Sequence, residues 1–251
     1  MLESQMSDSP RLHLRKPIFP LFIQVMGIAV LVVVLIAVLV ALAGCNPSGE
    51  VRDEEDAVES AQTITKNRAK VNKIVRSVME EVDLDDEDSI LVGIGRYEEA
   101  IVLLDEAVEL AGESIHPRME RFILRQRIAA GYQALYAKAD EHCTPYEKSG
   151  ATPPQDQVQR RADAEVGANK WLKLARRDMD FHLRSTTPAY QDPKQYWDLQ
   201  QIDVALGDYS GARTTLINLL EVFGTKLSSK DRREIQSRIR LYAQRLNDAE
   251  I

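Results

Sequence analysis

The chain has 251 residues, 32 of them basic and 39 acidic, a formal net charge of −7, and two cysteines. An acidic balance argues against nucleic acid as a partner, and two cysteines cannot build a disulfide framework. The charge is uneven: residues 50–113 hold 7 basic and 19 acidic side chains, residues 114–184 hold 13 and 9, and residues 185–251 hold 9 of each.

The N-terminal part is dominated by Leu21–Cys45, which carries no charge, inside a charge-free interval from Pro17 to Gly49. A helix needs about 20 apolar residues to cross a bilayer, and Val25–Ala43 supplies 19. A cleavable secretory core is usually about 7–15 residues, so length alone favours a permanent span. Arg11, Arg15 and Lys16 precede the run, and Glu50, Asp53, Glu54, Glu55 and Asp56 follow it with only Arg52 among them. The basic flank stays in the cytoplasm, which puts residues 46–251 on the other side. The acidic membrane-proximal segment is repelled from anionic headgroups, so a domain lying flat on the bilayer is disfavoured.

The run ends in Leu42-Ala43-Gly44-Cys45, followed by Asn46-Pro47-Ser48-Gly49. This tetrapeptide resembles the lipobox of bacterial lipoproteins. The resemblance implies that Leu42, Ala43 and Gly44 are read by a signal peptidase. It also implies that Cys45 is thioether-linked to diacylglycerol and that the chain is cut before it. Each buried CH₂ of such an anchor contributes about 0.8 kcal/mol. Asn46 stands where some proteobacterial lipoproteins carry an inner-membrane retention Asp, so an outer-membrane destination is allowed. The competing reading is an uncleaved transmembrane helix with a buried cysteine at its end. Either way, residues 1–44 are a signal or anchor, 45–56 a polar tether and 57–251 a helical domain.

From Ala57 to Val82 there is no Gly or Pro, and Ala61, Ile64, Val71, Val75, Val78 and Val82 recur at helical spacing with Arg68 in one slot. That predicts an amphipathic helix. The acidic run Asp83–Asp88 fails as an EF-hand loop, because Asp88 and Ile94 stand where Gly and Glu are required; it reads as a helix start that complements the dipole. Pro117 opens a helix predicted to reach Glu141 through Met119, Phe122, Ile123, Ile128, Tyr132, Leu135, Tyr136 and Ala139. Thr144–Pro154 reads as a loop. The next helix is predicted from Gln155 to His182, burying Val158, Ala162, Val166, Trp171, Leu174, Ala175 and Phe181. Asp192 and Pro193 start another, Gly224 ends the one after it, and Ser228 with Asp231 forms a capping box for the last. That helix puts Ile235, Ile239, Tyr242 and Leu246 on one face and arginines on the other.

Two phrases repeat within this pattern. Gly95-Arg96-Tyr97-Glu98-Glu99-Ala100 leads into Ile101, Leu104, Ala107 and Val108, and Gly207-Asp208-Tyr209-Ser210-Gly211-Ala212 leads into Leu216, Leu219 and Leu220. Each resembles the turn and second helix of a tetratricopeptide repeat. The resemblance implies that Gly95 and Gly207 make tight turns, that Tyr97 and Tyr209 pack back across a hairpin, and that Ala100 and Ala212 sit where helices cross closely. The family's first helix is matched before Gly207 by Tyr196 and Leu199, with Gln200 in place of a Gly. Before Gly95, Glu87 and Asp88 occupy the Leu-Gly positions. The spacing of the two phrases is not a multiple of the family's period. The expected fold is therefore all-α, with TPR-like antiparallel helical hairpins stacked as a short solenoid behind an N-terminal hydrophobic helix.

No catalytic constellation is legible. No Gly-rich phosphate loop follows a strand, His116, His142 and His182 lack metal-pair spacing, and His142-Cys143 has no second half. Neither enzyme activity nor a metal or cofactor is expected. Arg118, Arg121 and Arg125 fall on one helical face, with Arg160, Arg161, Lys170, Lys173, Arg176 and Arg177 on the next helix. If they converge, they line a basic groove for an acidic peptide or a carboxyl terminus; the plainer reading is a solvated face with local ion pairs to Asp178 and Asp180. By resemblance, lipoproteins of this design serve as scaffolds in envelope assembly, pilus or secretion machinery, with other envelope proteins as partners. The alternative is a single-span structural subunit of a large membrane complex.

Overall fold

The computed structural model of the protein describes residues 54–112 and 114–248. Among the described residues there are seven α-helices, one 3-10 turn and no strand. The helices are α1 (Glu54–Glu81), α2 (Glu87–Ala111), α3 (Ile115–Ser149), α4 (Gln155–Ser185), α5 (Pro193–Ala205), α6 (Tyr209–Phe223) and α7 (Ser229–Asp248), with the 3-10 turn at Pro188–Tyr190. All-α is therefore correct for this part. The hydrophobic stretch, with Leu42, Ala43, Gly44 and Cys45, lies outside the described residues.

The backbones pack in chain order. Each helix lies against its sequence neighbours, and α3 against α4 most extensively. At the first three crossings close approach depends on a glycine. A Cβ on Gly93 of α2 would come within 2.9 Å of Val82, one on Gly131 of α3 within 2.9 Å of Ile94, and one on Gly167 of α4 within 2.5 Å of Tyr132. Each glycine thus admits a side chain of the preceding segment. Two cores result among the described residues. The larger gathers Ile90, Ile94, Leu104, Phe122, Ile128, Trp171 and Met179 from α2 to α4. The smaller gathers Tyr196, Ala212, Leu216, Leu219, Phe223, Ile235 and Tyr242 from α5 to α7. Leu183, near the end of α4, packs against both.

Helix ends follow local chemistry. Asp86 caps α2, its carboxylate accepting from the backbone N–H groups of Asp88 and Ser89 at 3.3 and 3.2 Å. The acidic run therefore starts a helix, as the dipole argument expects. Asp192 and Gln195 form a reciprocal capping box at α5, with Pro193 in the first turn. Ser228 Oγ accepts from Asp231 N at 3.1 Å and donates to the Asp231 carboxylate at 2.6 Å. Gly207, at φ +74°, turns the chain from α5 into α6.

Several expectations need correction. Gly95 makes no turn: α2 runs through it without interruption, so the first TPR-like phrase is the middle of one long helix rather than a hairpin. Tyr97 accordingly packs beside Arg127 of α3. α3 continues past Glu141 to Ser149 with Pro145 inside it, so the loop is confined to residues 150–154. Pro145 removes one backbone donor, and Arg161 of α4 braces that stretch by bridging Asp140 at 2.9 Å and Glu147 at 2.8 Å. The buried stripe of α4 is also displaced. Val166 is 69% exposed and Val158 38%, and the buried positions are Ala164, Ala168, Trp171, Leu172, Ala175, Asp178, Met179 and His182. Ile123 and Ala61 are exposed as well. α1 starts at Glu54, so 54–56 are helical rather than tether.

Candidate partner-binding surfaces

The basic face does not assemble as a free surface. Arg121 and Arg125 turn inward between α3 and α4, where both engage the buried Asp178. Arg121 reaches its two oxygens at 2.5 and 3.1 Å, and Arg125 reaches Oδ2 at 2.7 Å. Arg121 also pairs with Asp105 of α2 at 2.7 Å, and Arg125 donates to the Leu174 carbonyl at 3.2 Å. The buried Asp178 is thus neutralised between the helices by two guanidiniums, and the half-exposed Asp105 balances the second of these charges. Arg118 stacks 4.0 Å from the centre of the Phe181 ring. Lys170 lies over Trp171 at 5.0 Å, while Lys173 and Arg177 are exposed. Arg160 pairs with Glu87 and Arg176 with Asp203 and Asp208. The nine candidate groove residues therefore divide between structural and solvated roles.

The repeat residues divide similarly. Ala100 and Ala212 are both fully buried. Gly207 makes a turn and Gly95 does not. Tyr209 packs against Tyr242 of α7, ring centres 5.9 Å apart. Gln200 is buried and donates to Tyr242 Oη at 2.7 Å, tying α5 to α7.

A groove of about 510 Å³ with mixed polar and apolar walls lies along α4, α5 and α6, its polar lining including Arg176, Asp180, Arg184, Asp208, Thr214 and Asn218. Behind it sits Asp203 of α5, with no solvent exposure. Its carboxylate accepts from Thr215 Oγ1 at 3.1 Å and contacts Arg176 Nε at 2.6 Å. The approach of Arg176 is off-line for a hydrogen bond. Burial pushes the Asp203 carboxyl up to about 6, more than Arg176 and Thr215 pull it down. Gly211 makes room for the array, since a Cβ there would meet Asp208 at 2.5 Å and Arg176 at 2.7 Å.

A second cleft, of about 360 Å³, is mostly apolar. α1 and α3 both pack on α2 but not extensively on one another, so they leave a trough over it. Gly93 and Ile94 floor it, Val78 and Val82 line the α1 side, and Ala130 and Ala134 the α3 side. An ion pair between Arg68 of α1 and Glu120 of α3 spans the two walls beyond the cleft. Sequence patterning missed this cleft because its floor and wall residues count as core in any periodicity argument. The signal was Gly93 and Gly131, glycines in the interiors of α2 and α3.

Among the described residues no three His, Cys, Asp or Glu side chains gather in a metal-holding group, and no helix is long and apolar enough to cross a membrane. Cys143 is fully buried in α3. No protein-family model matches the chain, and no curated protein matches it.

Proposed function

We propose that the chain is a membrane-anchored extracytoplasmic lipoprotein whose helical domain binds other proteins. One observation carries the location: the uncharged Pro17–Gly49 interval, preceded by Arg11, Arg15 and Lys16, followed by an acidic cluster, and containing Leu42-Ala43-Gly44-Cys45. The charge asymmetry orients the chain, and the tetrapeptide supplies the lipidation chemistry. The binding role is supported by the two clefts, which are open troughs between helices rather than closed catalytic pockets. The α5–α6 hairpin, with Tyr196, Leu199, Gly207 and Ala212 in place, supports a short TPR-like repeat in the C-terminal half. A scaffold in envelope assembly, pilus or secretion machinery fits this design by analogy, since fold alone does not fix function.

A second reading, a single-span structural subunit of a larger membrane complex, is favoured by the length of Val25–Ala43, which exceeds that of a cleavable core. Protease added outside the cytoplasmic membrane of intact bacterial spheroplasts tests the orientation common to both. Digestion of the helical domain there is the expected result; protection until lysis contradicts the location.

A further inference from the structure

We infer that the trough between α1 and α3 holds a segment of a partner protein with apolar side chains, an acidic residue at one end and a basic residue at the other. This inference rests on the binding-module reading and names the chemistry of the partner. The floor of the cleft runs along α2 from Ile90 to Tyr97, seven residue steps, or roughly 10 Å at 1.5 Å per residue. That accommodates about two turns of an amphipathic helix or three residues of extended chain.

One end of the trough carries a positive charge, and the turn beyond the other end is acidic. At one end stands Arg127 of α3, which makes no ion pair among the described residues. Its guanidinium donates only to Tyr97 Oη, at 3.3 Å, and lies 5.9 Å from the centre of that ring. Tyr97 thus positions the charge without neutralising it. A guanidinium held in this way beside an apolar wall is suited to a carboxylate, which it can engage in a two-point hydrogen-bonded pair. At the other end Leu84 lines the cleft from within Asp83-Leu84-Asp85-Asp86-Glu87-Asp88. Arg160 pairs with Glu87, and Lys138 donates to the Asp85 carbonyl rather than to a carboxylate. The turn therefore keeps an excess of negative charge. Met79 and Leu84 are 61% and 67% exposed on the rim, apolar surface that an occupant would cover. The apolar trough supplies affinity, and the charged ends fix the direction in which the segment lies.

The test is selection of a random dodecapeptide library on the purified full chain, repeated on Arg127→Glu and on Ala130→Trp. Ala130 is an exposed wall residue, so the Trp fills the cleft without entering the core, and circular dichroism checks that both variants fold. If A130W fails that check, R127E carries the test alone. The expected consensus is an apolar pair flanked by Asp or Glu. Its affinity falls at least tenfold on R127E and is lost on A130W, and reselection on R127E enriches Lys or Arg at the acidic position. Peptides that bind R127E and A130W as well as the parent overturn the cleft assignment and leave the binding-module reading standing. A library that yields no binder contradicts both. Binding of a fluorescent long-chain fatty acid that A130W abolishes, with no peptide selected, overturns the proposal in favour of a lipid.

Discussion

Asp178 and Asp203 are both buried aspartates beside arginine, yet their surroundings differ in kind. Asp178 has two guanidiniums in hydrogen-bonding geometry, whereas Asp203 has one, off-line, and a hydroxyl. Desolvation of Asp203 is therefore under-compensated, and its carboxyl rises to about 6 from an ordinary 3.8. Between about pH 4 and pH 6 the folded protein holds a proton that the unfolded chain has released. Stability from this group is accordingly present at low pH and is lost as pH rises through that window, by roughly 3 kcal/mol in all. His182 acts with the opposite sign. It is buried, accepts from Gln195 across 2.7 Å and has a lowered pKa because of burial, so its contribution is lost as pH falls below its unfolded value. The difference between the parent and Asp203→Asn isolates the aspartate. In urea denaturation across pH 4 to 7, the parent should lose stability relative to D203N as pH rises. A difference that is flat with pH contradicts the assignment.

At the scale of elements, Gly95 and Gly207 stand at equivalent places in two similar phrases and do opposite things. Gly207 has φ +74° in a turn; Gly95 lies in the middle of α2, and a Cβ there meets nothing within 4 Å. Gly95→Ala should therefore stabilise the fold by about 0.5–1 kcal/mol, by removing helix-interior chain entropy. Gly207→Ala should destabilise it by about 1–2 kcal/mol through the left-handed backbone. Chemical denaturation of the two variants checks this, and a loss of stability in G95A would restore the hairpin. Caps were readable from sequence because they are local: Asp192 with Pro193, Ser228 with Asp231, and Gly207 each act within a few residues. The uninterrupted α2 was not, because a helix covered on both sides by α1 and α3 absorbs the cost of two glycines, Gly93 and Gly95. The stripe of α4 was misplaced for a related reason. Asp178 and His182 are buried and paired there, while hydropathy assigns such residues to the surface and shifts the whole face. The supposed basic groove failed in the same way, since the carboxylates that neutralise Arg121 and Arg125 come from two other helices.

For the whole molecule, the described helices form a serial stack with two cores joined at the end of α4, and side chains reach across alternate helices. Arg68 meets Glu120, Arg176 meets Asp208 and Gln200 meets Tyr242. Such an array presents troughs rather than a single enclosed pocket, which suits a protein that holds others in place. The proposed lipoprotein anchor rests on Cys45. Intact-mass measurement of the full-length gene product purified from its native bacterial membrane tests that claim most directly. A chain that begins at Cys45 and carries added diacylglyceryl mass is the predicted result. A chain that retains residues 1–44 with an unmodified cysteine contradicts the lipoprotein and leaves a single-span anchor in its place.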